Sequence, residues 1–186
     1  MLRFLNRHRV EALLFLMFWA SFACVVHVLP GWNVNTRFAL TCAMVDRGTF
    51  SIDAYHTDPL FETDDKAFYN GRFYCDKSPA LSMLAAPFYA LSKPILAASD
   101  VRIKVLYARQ WSMAWTVCLL GALAAVLFYR MTILFGASGQ ESLALTMFLI
   151  YGTNLGGYTS LFYPYLPAAC CIVAAYTLVL SARRRG

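Results

Sequence analysis

The sequence predicts an all-α integral membrane protein, with about four transmembrane helices and an extracytoplasmic loop bearing interfacial helices and a short β-hairpin. Three observations lead there. Of the 186 residues, 60% are hydrophobic and only 14% charged, whereas soluble domains carry about a quarter charged residues. The apolar residues fall into runs near the ~20 residues that cross a ~30 Å hydrocarbon layer. The charges, +6 in sum, gather at the ends of those runs, as membrane orientation requires, so nucleic acid is not expected as a partner. A water-soluble fold and a disordered chain are both disfavoured by this composition.

Residues 1–9 form a basic N-terminus with Arg3, Arg7 and Arg9, expected on the cytoplasmic side. The run from Val10 to Leu29 is the first span (10–29), retained as an anchor because no small-x-small cleavage pattern follows it. Four more apolar stretches come later: Pro79 to Ala98, Tyr107 to Tyr129, Leu143 to Gly157 and Leu161 to Leu180. Were all of them to cross, Arg183, Arg184 and Arg185 would end outside, against the positive-inside rule. The stretch 79–98 contains Pro87, Lys93 and Pro94, and an internal proline costs a helix about 3 kcal/mol. It is therefore read as an interfacial helix.

The remaining spans are 109–129, 143–160 and 161–181, with a cytoplasmic loop 130–142 and a cytoplasmic tail 182–186. Trp32, Trp111, Trp115, Tyr158, Tyr163 and Tyr165 then fall near the outer boundary, as an aromatic belt does. Gly152 and Gly156 form G-x-x-x-G on the third span, a packing notch. No span is expected to bury an acid, which disfavours a transporter.

Residues 30–108 form the extracytoplasmic loop, and seven of the ten acids lie between Asp46 and Asp76. Within it, 36–47 reads as a short helix with Asn35 as N-cap and Gly48 as the left-handed C-terminal residue. Arg37 and Thr41 share one face of it. The six cysteines show no C-x-x-C spacing and read mostly as apolar fillers; Cys42 and Cys75 are the pair a bridge could join.

The sharpest local signal is Asn70-Gly71 between aromatic-rich arms, which marks a two-residue type I′ hairpin over 65–77. That turn sets Tyr69 against Arg72, Phe68 against Phe73, Ala67 against Tyr74, Lys66 against Cys75 and Asp65 against Asp76. Opposed carboxylates with Cβ atoms about 5 Å apart repel unless a cation, a lysine or a shared proton intervenes. Such a pair can serve as a general base or clamp a divalent cation. The alternative is a hairpin that frays first and leaves two solvated acids. Lys77, opening the interfacial helix, is placed to neutralise a lipid-linked phosphate, with Arg37 and Lys66 as further phosphate-binding candidates; a snorkelling lysine and a solvated arginine are the plain alternatives.

The order of a basic N-terminus, one span, a helix with Thr36-Arg37-Phe38-Ala39, an acidic loop, and Asp76-Lys77-Ser78-Pro79 before an apolar helix resembles the first part of the GT-C membrane glycosyltransferases. These include the protein O-mannosyltransferases and the lipid A aminoarabinose transferase. Asn35 to Leu40, Asp46 to Asp53 and the stretch from Gly152 to Ala169 are similar to a bacterial branch of them. The resemblance implies transfer of a sugar from a polyprenyl-phosphate donor to an extracytoplasmic acceptor, at the outer face of a bacterial cytoplasmic membrane, in a multi-pass chain with both termini cytoplasmic.

In that family an aspartate deprotonates the acceptor hydroxyl and basic residues hold the phosphate. Asp76 and Lys77 match the acid and the following lysine of the family's interfacial motif. Val34 and Asn35 stand where many members carry an Asp-Glu pair, and Tyr165 where the branch has a histidine, so either the base has moved to Asp65, with Asp76 as its partner, or the activity is absent. The family usually has about twice as many spans, so a partner chain or further C-terminal spans are expected to complete the donor site. No cofactor is required by the pattern; a divalent cation at Asp65 and Asp76 is the one it leaves open. The alternative function is a non-catalytic membrane protein, either a truncated remnant or a helix-packing subunit.

Overall fold

The computed structural model of the chain describes residues 2–25 and 31–184, with side chains from His8 onward. The end of the expected first span, residues 26–29, together with Arg185 and the side chains of Arg3 and Arg7, lies outside the described residues. The described residues are mostly helical, with one two-stranded sheet among them. In order it forms α1 (Leu2–Ala23), α2 (Trp32–Arg47), β1 (Lys66–Tyr69), β2 (Arg72–Cys75), α3 (Ala80–Ile95) and α4 (Val101–Met113). A π-helical turn (Ala114–Cys118) then leads into α5 (Leu119–Leu134), α6 (Gly139–Tyr151), α7 (Leu155–Tyr158) and α8 (Tyr165–Arg183). Among the described residues, two helices are long and apolar enough to cross a membrane: the continuous Val101–Leu134 and Tyr165–Arg183.

The chain divides into two compact units. The helical unit comprises α1, α5, α6, α7 and α8. Its core joins Leu14, Phe18 and Phe22 of α1 to Cys118, Ala122, Ala125, Val126 and Tyr129 around α5, with Ile150 of α6. Small residues on α5 let its neighbours come close: a Cβ on Gly121 would lie 3.3 Å from Thr159 and 3.5 Å from Phe22. Ser138 and Glu141 form a reciprocal capping box that starts α6.

Three expectations are corrected in this unit. The apolar stretch after Leu143 is not one helix: α6 ends at Tyr151 with Gly152 as its cap, and α7 begins only at Leu155. Gly152 and Gly156 accordingly line a break between two helices, not one helix face. A Cβ would meet Phe148 O at 2.7 Å in the first case and Ile150 O at 2.1 Å in the second, so close backbone approach is what demands glycine there. Thirdly, α1 does bury an acid. Glu11 is 4% exposed and accepts two hydrogen bonds from Arg130 of α5, from Nε at 2.7 Å and from a terminal nitrogen at 2.5 Å.

The hairpin unit comprises α2, the sheet, α3 and α4. Its core gathers Phe38, Ala39, Leu40 and Cys42 of α2 with Ile52, Phe61 and Ala108. Strand pairing follows the register that the Asn-Gly turn dictates, Lys66 with Cys75 through Tyr69 with Arg72. Asn70 and Gly71 both take positive φ, 48° and 75°, as a type I′ turn requires. The segment 51–53 runs beside β2: Ile52 N–H donates to Phe73 O, and Phe73 N–H donates to the Asp53 carboxylate at 2.7 Å. That backbone bond, together with the Ser51 hydroxyl, holds Asp53 below the usual carboxylate pKa.

Helix α2 ends as expected at Gly48, in the left-handed conformation. Its start differs. Gly31, not Asn35, occupies the N-cap position, because the Asn35 amide is engaged between Glu62 and Arg109. Helix α3 accommodates Pro87 and Pro94 within Ala80–Ile95. Cys42 and Cys75 are both free thiols, and burial pushes the Cys42 thiol well above its ordinary pKa.

Candidate functional site

Helix α2 anchors both arms of the hairpin, and this places the acids. On the first arm, the buried Thr63 hydroxyl donates to Trp32 O at 3.0 Å and accepts from the Asp65 N–H at 3.1 Å. On the second, an Arg37 terminal nitrogen donates to Ser78 O at 3.0 Å while its Nε donates to Asn33 Oδ1. Ser82 of α3 then donates to Arg37 O at 2.9 Å, and Thr41 shares that carbonyl. Two chain segments that leave the sheet are thereby tied to one helix.

Strand pairing stops at Lys66 and Cys75, so Asp65 and Asp76 lie one residue beyond it. Lys77 joins them. Its Nζ lies 2.8 Å from Asp76 Oδ2 and 3.5 Å from Asp65 Oδ2, and the three side chains are 25–32% exposed. Of the three ways to relieve two opposed carboxylates, the chain uses a lysine. The hydrogen bond to Asp76, reinforced by Asp65, raises the Lys77 pKa above its ordinary value, so the ammonium stays charged. Among the described residues no group of three or more His, Cys, Asp or Glu side chains could hold a metal ion; between Asp65 and Asp76 the neighbouring positive charge is Lys77.

The other two phosphate-binding candidates are placed differently. Arg37 is 4% exposed and engaged by Asn33 and Ser78, so its geometry is that of a positioning residue behind Lys77 rather than of a surface ligand. Lys66 does not join the cluster. Its Nζ sits 3.4 Å from His56 Nδ1, 3.6 Å from Asp64 and above the Phe73 ring.

Sequence reasoning missed two polar groupings in this unit. Asp46 collects the Lys93 ammonium at 2.5 Å and the hydroxyls of Tyr55 and Tyr89, each at 2.9 Å. Desolvation works against the ionised carboxylate, but the three donors outweigh it and leave its pKa lowered. Burial raises both tyrosines, reinforced by Asp46 at Tyr55 and by Cys42 and then Asp46 at Tyr89. A lysine and a tyrosine four residues apart on an apolar helix, Tyr89 and Lys93, were the signal. The second grouping is Asn35 with Arg109, whose terminal nitrogen donates to Asn35 Oδ1 at 3.4 Å. Arg109 is 4% exposed and lines a cavity of about 530 Å³ with Trp32, Glu62, Arg102 and Leu106. Only an arginine inside an apolar run announced it.

Chemically, the Lys77 cluster offers a carboxylate open to solvent, a second carboxylate, and a cation that neutralises charge between them. No protein-family model, curated protein or solved structure matches this chain.

Proposed function

We propose that the chain is a membrane glycosyltransferase of the GT-C type, or the N-terminal portion of one, that transfers a sugar from a polyprenyl phosphate to an extracytoplasmic hydroxyl. In this reading it crosses a bacterial inner membrane about four times with both termini cytoplasmic, and residues 30–108 face outward. The observation that carries the reading is the lysine-bridged carboxylate pair at the base of the hairpin, partly exposed and braced by α2.

Asp65 accepts the proton of the acceptor hydroxyl, whose oxygen attacks the anomeric carbon. The bond from that carbon to the phosphate oxygen breaks, and its electron pair leaves on the polyprenyl phosphate. Lys77 offsets the negative charge that the leaving phosphate gains. Asp76 keeps Lys77 aimed and charged, and Arg37 fixes the segment through Ser78.

The test is transfer of labelled sugar from polyprenyl-phosphate donors in membranes holding the full chain. Asp65→Asn and Lys77→Ala are each expected to lower the rate by about a hundredfold or more while membrane insertion is retained. Rates equal to wild type in both variants, or no transfer in wild type, would reject this reading and leave a clasp that holds the hairpin of a non-catalytic membrane protein.

A further inference from the structure

Three of the lysines are matched to acids: Lys66 to Asp64 at 3.6 Å, Lys77 to Asp76 and Asp65, and Lys93 to Asp46 at 2.5 Å. The fourth, Lys104 of α4, is half-buried, and its ammonium has no ion pair or hydrogen bond among the described residues. Asp100 stands four residues earlier, the spacing at which helix charges pair. Its carboxylate instead caps α4, accepting from the Arg102 N–H at 2.9 Å. The free ammonium lines a cavity of about 210 Å³ in the hairpin unit.

The other polar groups of that cavity are spent. Ser92 donates to Tyr89 O at 2.7 Å, the Tyr89 hydroxyl donates to Asp46, and Lys93 is held by the same carboxylate. Cys42 is 1% exposed and burial keeps its thiol neutral. One positive charge is therefore left without a counterpart at an otherwise apolar site. The walls are aromatic: Phe38 and Phe61 stack with centroids 5.7 Å apart, and Tyr89 meets Phe38 edge-on at 5.6 Å. A further ring extends such an arrangement favourably. An apolar cavity of ~150 Å³ takes benzene, so this one has room for a ring with a short side chain. A phosphate monoester carries close to two charges and calls for several donors, whereas a single ammonium, a point charge, matches a monoanion.

We infer that this cavity binds a monocarboxylate bearing one aromatic ring, with the ring among Phe38, Phe61 and Tyr89 and the carboxylate on Lys104. No residue lining it belongs to the Lys77 cluster, so the inference stands whether or not the chain transfers a sugar.

The experiment is calorimetric titration of the full chain, in non-ionic detergent micelles, with phenylpropionate, phenylpropionamide, octanoate and inorganic phosphate. Phenylpropionate is expected to bind, its uncharged amide about tenfold or more weakly, octanoate more weakly than the aromatic acid, and phosphate not to compete. Lys104→Met is expected to weaken phenylpropionate by about tenfold and Lys104→Arg by less. Ala97 is exposed and lines the cavity, so Ala97→Phe fills it from the surface and is expected to abolish binding. Lys77→Ala is expected to leave the affinity unchanged. No binding in wild type, an amide or octanoate as tight as phenylpropionate, competition by phosphate, wild-type affinity in Lys104→Met, or a loss in Lys77→Ala equal to that in Lys104→Met would overturn the inference. The amide comparison uses the unaltered chain, so it decides the question even where a variant fails to fold.

Discussion

The two units satisfy their buried polar groups in different proportions of local and cross-element bonds. In the helical unit most hydroxyls are satisfied by the helix that carries them: Thr132 donates to Tyr129 O, Thr146 to Ser142 O, Thr177 to Val173 O and Ser181 to Thr177 O. Its outward residues include Phe148, Ile172, Tyr176, Leu178 and Val179, all more than half exposed, which suits an apolar solvent. In the hairpin unit Ser92 and Ser112 also bond back within their helices, but other amides, hydroxyls and charges join different elements: Thr63 to Trp32, Asn35 to Glu62, Arg37 to Ser78, and Lys93 to Asp46. Local back-bonding stabilises a helix wherever it sits, whereas cross-element bonding fixes one tertiary arrangement. The second strategy is the one that can hold a site.

Glu11 breaks this pattern, because its carboxylate links α1 to α5 through Arg130 and also lies 3.3 Å from His8. It should therefore be the most sensitive polar position of the helical unit. Glu11→Ala removes a nearly buried partner and is expected to cost about 3 kcal/mol, read as a loss of resistance to unfolding in detergent. A cost no larger than that of an exposed pair would place Glu11 with the solvated acids instead.

A matched pair of substitutions sharpens the contrast. Thr63→Val keeps shape but removes the bond to Trp32 O and leaves the Asp65 N–H without its Thr63 acceptor, and is expected to cost about 2 kcal/mol. Thr146→Val removes a hydroxyl bonded only to its own helix, so the expected cost is below about 0.5 kcal/mol. Thermal unfolding of both variants checks this, and equal costs would erase the distinction between the units.

Much of the local structure was legible in the sequence, because it rests on rules that act within a few residues. Asn70-Gly71 dictated its turn and the register of four pairs, and Gly48 its left-handed cap. Where tertiary contacts compete, the reading failed. Asn35 has the chemistry of an N-cap, but Glu62 and Arg109 claim its amide. Hydropathy joined α6 to α7 because it does not register the backbone approach of Ile150 to Gly156. The acid pair and Lys77 were legible because they flank a turn of known register; Asp46 with Lys93, and Asn35 with Arg109, were not, because 47 and 74 residues separate the partners.

An effect smaller than the Thr63 loss concerns acidity, and it tests whether cross-element charges stabilise the hairpin unit. Asp46 has a lowered pKa in the folded chain because the donors Lys93, Tyr89 and Tyr55 outweigh the desolvation of its carboxylate. A depressed folded value means the unfolded chain binds the proton more readily. The stabilisation is then fully present above the ordinary carboxylate pKa of about 3.9 and is lost as pH falls through the lower folded value. Tyr55 and Tyr89 act with the opposite sign: their raised pKa values give stability that is complete below about pH 10 and declines as pH rises towards the folded values. Asp46→Asn is therefore expected to flatten the acid side of a profile of melting temperature against pH and to cost about 1 kcal/mol at neutrality, the upper end for a partly exposed pair. An unchanged acid limb would show that Lys93 and the two tyrosines merely cover Asp46, and that the cross-element polar bonds that stabilise the hairpin unit are those of Thr63, Asn35 and Arg37.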